Sequence, residues 1–169
     1  MASVSGNPNA TVNWSVNGTA GGSATLGTIS ASGNYTAPAV LPNPNALTVT
    51  ATSAAVTTAS ASSAVTLMNP TPTLSGTNPA SVGTGSFSIT LAGTKFISGA
   101  QVMLGNTALT TTYVSATQLT ATGTEATAGT YPISVVNPDP GSSSSNSVNL
   151  QIGGSQQASG CGQMSLGAG

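Results

Sequence analysis

The side chains that could do chemistry in this chain are very few. Its 169 residues include three charged ones, Lys95, Glu125 and Asp139, a single cysteine, Cys161, and no histidine. Acid–base catalysis, nucleophilic catalysis and metal binding each need several titratable or ligating groups held together. The sequence cannot supply a full set for any of them. It therefore predicts that the protein is not an enzyme and that it has no cofactor and no metal site.

The same scarcity restricts the partners that the chain can bind. Lys95 is the only cationic side chain, so the neutralisation of phosphates on which nucleic-acid binding depends is essentially absent. No apolar run approaches the roughly 18 residues that a membrane-spanning helix needs. We therefore predict no nucleic-acid partner and no membrane insertion. Cys161 has no second cysteine for an internal disulfide, which leaves an intermolecular disulfide or an unreacted thiol.

Composition favours β-structure throughout the chain. Serine and threonine are abundant, and 21 glycines and 10 prolines interrupt the sequence at short intervals. Such a mixture of β-branched and turn residues is typical of an all-β protein. With a net charge of −1 and one lysine, charged residues cannot protect the exposed sheet edges from association. We expect the protein to self-associate, unless glycans or neighbouring domains cover those edges.

Apolar and polar residues alternate in two stretches of the chain. Turn residues separate the alternating runs of the second stretch at the spacing expected of a β-sandwich. We predict domains at residues 1–68 and 73–152, a stiff linker at 69–72 and a Gly/Ser-rich tail at 153–169. The predicted strands of the second domain contain the sets Phe87/Ile89/Leu91, Val102/Leu104, Leu119/Ala121, Tyr131/Ile133/Val135 and Val148/Leu150/Ile152.

In the first domain, the alternation begins with a strand at Val12–Val16 and a turn at Asn17-Gly18. Leu26 and Ile29 are predicted to share a short second strand. Two motifs around these strands, Trp14–Gly18 (WSVNG) and Gly33–Pro38 (GNYTAP), make this segment resemble the bacterial Ig-like domains that are repeated in cell-surface proteins.

The second domain resembles the IPT/TIG family. The matching elements are Asn78–Ser81, Gly93–Phe96, Val102–Asn106, Ala128–Tyr131 and Val135–Pro138. Together the two resemblances imply an all-β fold of two tandem immunoglobulin-like β-sandwiches. They also imply an extracellular location on the surface of a bacterium, in an adhesin, a filament or a multidomain secreted enzyme.

The first segment departs from its family at its beginning. The family pattern has a whole strand and most of a second one before the WSVNG motif, and Ala2–Gly6 resembles only the end of that second strand. A sandwich without its first strand exposes backbone groups and part of its core. Two explanations stay open: a strand supplied by another chain, or a longer protein whose missing strand lies upstream.

The tail offers a strand for the first explanation. Its apolar residues alternate with polar or small ones, and strand donation to another copy would give a head-to-tail filament, in which the protein's main partner is itself. The candidate donor residues are Met164, Leu166 and Ala168. The candidate acceptor is the strand at Val12–Val16, through Val12, Trp14 and Val16. The alternative function is an adhesive, carbohydrate-binding or spacer module of a larger surface or secreted protein.

Surface glycans enter the predictions in two ways. Trp14 could stack on a sugar, although Ig-like sandwiches commonly bury a tryptophan on this strand, and we predict a core position. Glycans could also be attached to the chain, because four N-x-S/T sequons occur in the first domain. Their acceptors are Asn9, Asn13, Asn17 and Asn34.

Overall fold

The computed structural model describes residues 5, 6 and 11–153, and the chain divides into two units, Met1–Asn69 and Pro70–Gly169. Sixteen β-strands and no helix occur in the described part of the chain. The all-β class predicted from composition is therefore confirmed. Within those same residues no helix has the length and apolar character needed to cross a bilayer.

The first unit is built from two antiparallel sheets of unequal size. The larger sheet has the order β2-β1-β6-β7 and the smaller one the order β3-β4-β5. The strands are β1 Val12–Val16, β2 Thr19–Ala20, β3 Gly22–Ser23, β4 Gly27–Ile29, β5 Tyr35–Thr36, β6 Ala46–Ser53 and β7 Ser60–Thr66.

The turn after β1 follows the sequence prediction. Asn17 and Gly18 have φ angles of 47° and 79°, the left-handed region that asparagine and glycine tolerate best. Leu26 differs from its prediction, because it lies in the turn before β4 and not in the strand. Its side chain still packs against the core of the unit. The apolar character of Leu26 therefore predicted a contact with the core correctly, but it did not predict the backbone conformation.

The core of the first unit is small. Its cluster of buried apolar residues has four members, Val16, Ile29, Leu47 and Val49. Five more apolar residues pack against this cluster and are only partly buried: Trp14, Leu26, Tyr35, Val65 and Leu67. Because these five side chains are only partly removed from water, each contributes less to the stability of the unit than a fully buried side chain would.

The second unit has two larger sheets. Their strand orders are β13-β14-β10-β8 and β12-β11-β15-β16-β9, and all pairs are antiparallel except β16 with β9. The strands are β8 Thr73–Asn78, β9 Ser81–Val82, β10 Gly85–Thr94, β11 Gln101–Leu104, β12 Thr107–Ala108, β13 Thr110–Ser115, β14 Gln118–Glu125, β15 Gly129–Val136 and β16 Val148–Ile152.

Each apolar set predicted for the second domain lies on a different strand of this unit: β10, β11, β14, β15 or β16. Their side chains are buried in one core cluster, except Tyr131 and Val148, which pack against it while partly exposed. None of the predicted apolar sets lies on β8 or β13. In β13 five of the six residues are Ser, Thr or Tyr, and none of its side chains is buried. Its partner β14 places it in the sheet, which local patterning cannot reveal.

Two asparagines fasten the beginning of the second unit to its later strands. Asn137 is fully buried, and its Nδ2 donates to the carbonyl oxygens of Pro70 and Lys95, each at 2.8 Å. Asn146 accepts a hydrogen bond from the Leu74 amide at 2.9 Å and donates to the Leu74 carbonyl at 2.8 Å. Side-chain amides thus satisfy backbone groups that no neighbouring strand pairs.

Candidate functional site

The most unusual feature of the first unit is the outer side of β7. This seven-residue strand pairs with β6 along its whole length, and in the described residues no strand pairs with its other side. We call this side the free edge. It contains no charged residue and no proline, the two devices that usually prevent an exposed strand from pairing with another chain.

The hydrogen-bond pattern identifies the backbone groups that face the free edge. The Leu67 amide donates to Asn45 and the Ser53 amide donates to Ala59, both at 2.9 Å. Hydrogen-bonded and non-hydrogen-bonded pairs alternate in an antiparallel ladder, so Ala61, Ser63 and Val65 bond to β6. The outward N–H and C=O groups therefore belong to the alternate residues, Ser60, Ser62, Ala64 and Thr66.

The inner face of β7 is also uncovered. Ala61 and Ser63 stand opposite Ala51 and Val49 in register, on the face that carries the core, yet both are exposed. Only Val65 of β7 is partly buried. The facing sheet cannot cover this strand, because its three strands have two or three residues each and it packs over β1. Among the residues that the structure describes, nothing thus covers the edge or the adjoining part of the core.

The predicted acceptor strand does not have this property. β1 lies inside its sheet: β6 pairs with all five of its residues, and β2 pairs with Ser15 and Val16 on the other side. The Trp14 carbonyl on that side accepts from the Gly21 amide at 2.9 Å. Because both sides are occupied there, an added strand has no place beside Trp14 and Val16. The structure thus offers no free side on β1 at Trp14 and Val16, whereas no described strand pairs with the outer side of β7.

Two of the three residues predicted as the acceptor, Val16 and Trp14, contribute to the core. Val16 is fully buried and Trp14 packs against the same cluster. The Trp14 ring lies so close to Gly33 that a Cβ atom at Gly33 would approach the ring Cζ2 to 2.5 Å. Gly33 also has a φ angle of 83°, so glycine is required there both by the contact with Trp14 and by the backbone conformation. Val12 and Trp14 also line a groove of about 300 Å³ beside Ile29.

Tyr35 links the small sheet to the turn that precedes β4. Its hydroxyl donates to the Leu26 carbonyl at 2.5 Å, and burial raises the pKa of the phenol above its ordinary value of 10.0. The neutral phenol therefore stabilises the fold at every pH below 10, and this contribution is lost as the pH rises further.

We accordingly expect the unfolding temperature of the first unit to fall as the pH rises from about 9 to 11, where free tyrosine ionises. In Tyr35→Phe the unfolding temperature should be lower at neutral pH but should depend less on pH in this range. Circular dichroism melting curves at each pH would measure both. An equal alkaline decrease in the phenylalanine variant would show that Tyr35 is not responsible.

The sequons that the structure describes are all at the surface. Asn13 is exposed on the outer face of β1, and Asn34 is exposed in the turn before β5. Asn17 is exposed too, but its Oδ1 accepts a hydrogen bond from the Thr48 amide at 2.7 Å. Glycosylation at these positions remains a prediction. Asn9, Cys161 and the predicted donor residues Met164, Leu166 and Ala168 lie outside the described residues.

The charged side chains are not brought together into a site. Lys95 and Asp139 are exposed in loops, and Glu125 accepts a hydrogen bond from the nearby Thr127 amide at 2.9 Å. Among the described residues, no three of the His, Cys, Asp and Glu side chains approach each other closely enough to hold a metal ion.

One family model matches the second unit. Residues 72–152 match the family model of the IPT/TIG domain. This confirms the resemblance predicted for the second segment, and the immunoglobulin-like fold that it implied. The family-model match does not extend to the first unit, whose resemblance to bacterial Ig-like domains stays a prediction. No curated protein matches the chain.

Several solved structures are similar to the chain at low identity. They include the gamma-CGTase of an alkalophilic Bacillus clarkii (13% identity, TM-score 0.43, 64% of this chain and 23% of that one). A second is SGBP-B from a xyloglucan utilization locus of Bacteroides uniformis (20% identity, TM-score 0.38, 70% of this chain and 31% of that one). A third is the S-layer protein SbsC (14% identity, TM-score 0.29, 88% of this chain and 21% of that one).

The chain thus spans less than a third of the length of each of these three structures.

Proposed function

We propose that the protein is a non-catalytic structural component of a bacterial cell surface, in which copies join head-to-tail by strand complementation. The observation that carries the proposal is the free edge of β7 together with its uncovered inner face. A strand added there would pair with the outward groups of Ser62 and Ala64 and would cover Ala61 and Ser63. Recognition by strand addition obtains affinity from main-chain hydrogen bonds and specificity from alternate side chains.

The tail of a second copy is the donor that we favour. Gln163–Gly169 has seven residues, as β7 has, and it places Met164, Leu166 and Ala168 at alternate positions. If these side chains face the exposed inner side of β7, burial of Met164 and Leu166 alone would contribute about 3–6 kcal/mol. Since donor and acceptor are different parts of the chain, the contact is heterologous and propagates into a filament unless it closes a ring.

Such a filament would respond very little to salt. No charged residue occurs in β7 or in the last seven residues of the chain, so the contact contains no ion pair that salt would screen. The alternative is an adhesive or spacer module of a longer surface or secreted protein. In that case an upstream strand of the same polypeptide would pair with the free edge.

Disulfide trapping separates these possibilities. In a Cys161→Ser background, Ser63→Cys would be combined with Met164→Cys, Leu166→Cys or Ala168→Cys, which together sample the register of the donor strand. We expect one pair to give a ladder of covalent oligomers on a non-reducing gel. The ladder should not change with ionic strength, and deletion of residues 163–169 should abolish assembly.

The matched control is Ser62→Cys with the same three tail cysteines. Ser62 neighbours Ser63 but faces the opposite side of the sheet, so a donor whose apolar side chains face the core should not be trapped there. A cross-linked monomer would instead show completion within one chain. The absence of any cross-link, with assembly that survives the deletion, would rule out the tail as the donor.

A further inference from the structure

The second unit has a regular array of hydroxyl groups on the outer face of β13, β14 and β10. Strand registers place Thr110 beside Thr122 and Thr122 beside Ser88, and they place Ser86 beside Thr124. All five residues are exposed. Together they line a shallow depression of about 570 Å³, which we call the hydroxyl face.

Most of these hydroxyl groups are available to a ligand. The Ser86 Oγ and Thr124 Oγ1 atoms are 3.4 Å apart, which is long for a hydrogen bond between two hydroxyl groups. The hydroxyls of Ser88, Thr110 and Thr122 have no protein partner in the part of the chain that the structure describes. Each can donate one hydrogen bond and accept two. Because threonine is β-branched, its hydroxyl is restricted to few orientations before a ligand arrives.

The composition of the hydroxyl face restricts the chemistry of its ligand. No charged residue lines the depression, so nothing there compensates an anionic or cationic ligand. Its aromatic residue, Phe87, is 8% exposed and belongs to the core, so it is not free to stack on a ligand. What remains is a set of groups that both donate and accept hydrogen bonds, which matches a ligand that is itself neutral and polyhydroxylated.

We propose that the hydroxyl face binds neutral polysaccharide chains. The depression is within the range of small-ligand sites, about 300–1,000 Å³, but it is shallow and lacks an aromatic platform. One face therefore binds weakly. The binding itself does not depend on the proposed assembly. If the protein does form filaments, a row of identical faces would raise the overall avidity by about 10² to 10⁴.

Affinity electrophoresis tests the proposal with defined probes. Native gels would contain hydroxyethyl cellulose or soluble starch as neutral polysaccharides, and alginate as an acidic one. We expect at least one neutral polysaccharide to retard the protein, at low and high salt alike, while alginate does not. The triple variant Thr110→Val, Thr122→Val, Thr124→Val preserves side-chain shape and should weaken this binding about tenfold or more, because it removes three hydrogen-bonding groups.

The matched control is Thr48→Val with Thr52→Val in β6. These residues lie on the outer face of the first unit's larger sheet, so the control loses two threonine hydroxyls, the same kind of group, at a different place. It should bind polysaccharide like the unmodified chain. The proposal is overturned if neither neutral polysaccharide retards the protein, if alginate retards it equally, or if the triple variant binds as well as the control.

Polysaccharide binding and assembly can be measured on the same samples. The triple variant should assemble normally because it leaves β7 unchanged. A variant that cannot assemble should keep the single-site binding and lose only the gain from avidity. Failure of one proposal is therefore distinguishable from failure of the other.

Discussion

Replacing Ala64 by proline should abolish assembly while leaving the first unit folded. The Ala64 amide points to the free edge and takes no part in the pairing with β6. Proline is tolerated on an edge strand when its nitrogen faces outward, and the residue before it keeps an extended conformation. The substitution thus removes one hydrogen-bond donor and adds a ring where an incoming strand must lie. We expect sedimentation to show polymer for the unmodified chain and monomer for the variant.

Two further variants at β7 make this result interpretable. Ala64→Ser keeps the amide and should assemble like the unmodified chain. Ser63→Pro removes a donor that bonds to β6, so it should unfold the first unit and not merely block assembly. Circular dichroism and the fluorescence of Trp14, the only tryptophan, would distinguish the two effects. Filaments formed by folded Ala64→Pro would exclude strand addition at β7.

Replacing Asn137 by alanine should destabilise the second unit by about 2–5 kcal/mol. Its side chain is fully buried, and its Nδ2 is the donor for two backbone carbonyls, those of Pro70 and Lys95. Each of the two lost hydrogen bonds contributes about 0.5–1.5 kcal/mol, and removal of the buried amide also leaves a cavity. The Pro70 and Lys95 carbonyls lie just before β8 and just after β10, so both strands lose an attachment at the same end of their antiparallel pair.

Amide hydrogen exchange would measure this effect unit by unit. Protection should fall in β10 and β15, whereas the amides of β6 in the first unit should keep theirs. Asn149→Ala is the control, because Asn149 is an exposed asparagine on β16, close in sequence to the same loop. If Asn137→Ala were no more destabilising than Asn149→Ala, the two hydrogen bonds would not carry the attachment that we infer.

The sequence predicted those parts of the fold in which each strand has one buried face. Val12–Val16 and Phe87–Leu91 alternate apolar and polar residues because their sheets expose one side to water. Leu26 and β13 mark the limits of that reasoning. Leu26 packs against the core from a turn while partly exposed, and β13 is held by its neighbour in the sheet although none of its own side chains is buried.

The candidate site shows the same division between local and non-local information. The sequence indicated that an open edge should exist, from the scarcity of charge and the departure from the family pattern at the first segment. It pointed to β1 as the acceptor because the strands missing from the family pattern come directly before the WSVNG motif, which lies in β1 and the turn after it. The alternation of apolar residues in β1 reflects the face that Trp14 and Val16 turn to the core, and it does not report whether another strand pairs with each side of β1. The open strand, β7, contains mostly serine and alanine, and its pattern is correspondingly weak.

The sequence by itself determined the all-β class, the IPT/TIG resemblance and the scarcity of groups for catalysis, because these depend on composition and on local alternation. Tertiary structure alone decided which strand is at the edge, which face is uncovered, and which hydroxyls stand side by side on the second unit. Each of these depends on the order and register of strands that are distant in the chain. Side-chain alternation has a period of two in an edge strand and in an interior strand alike. It therefore carries no information about the order of the strands in the sheet.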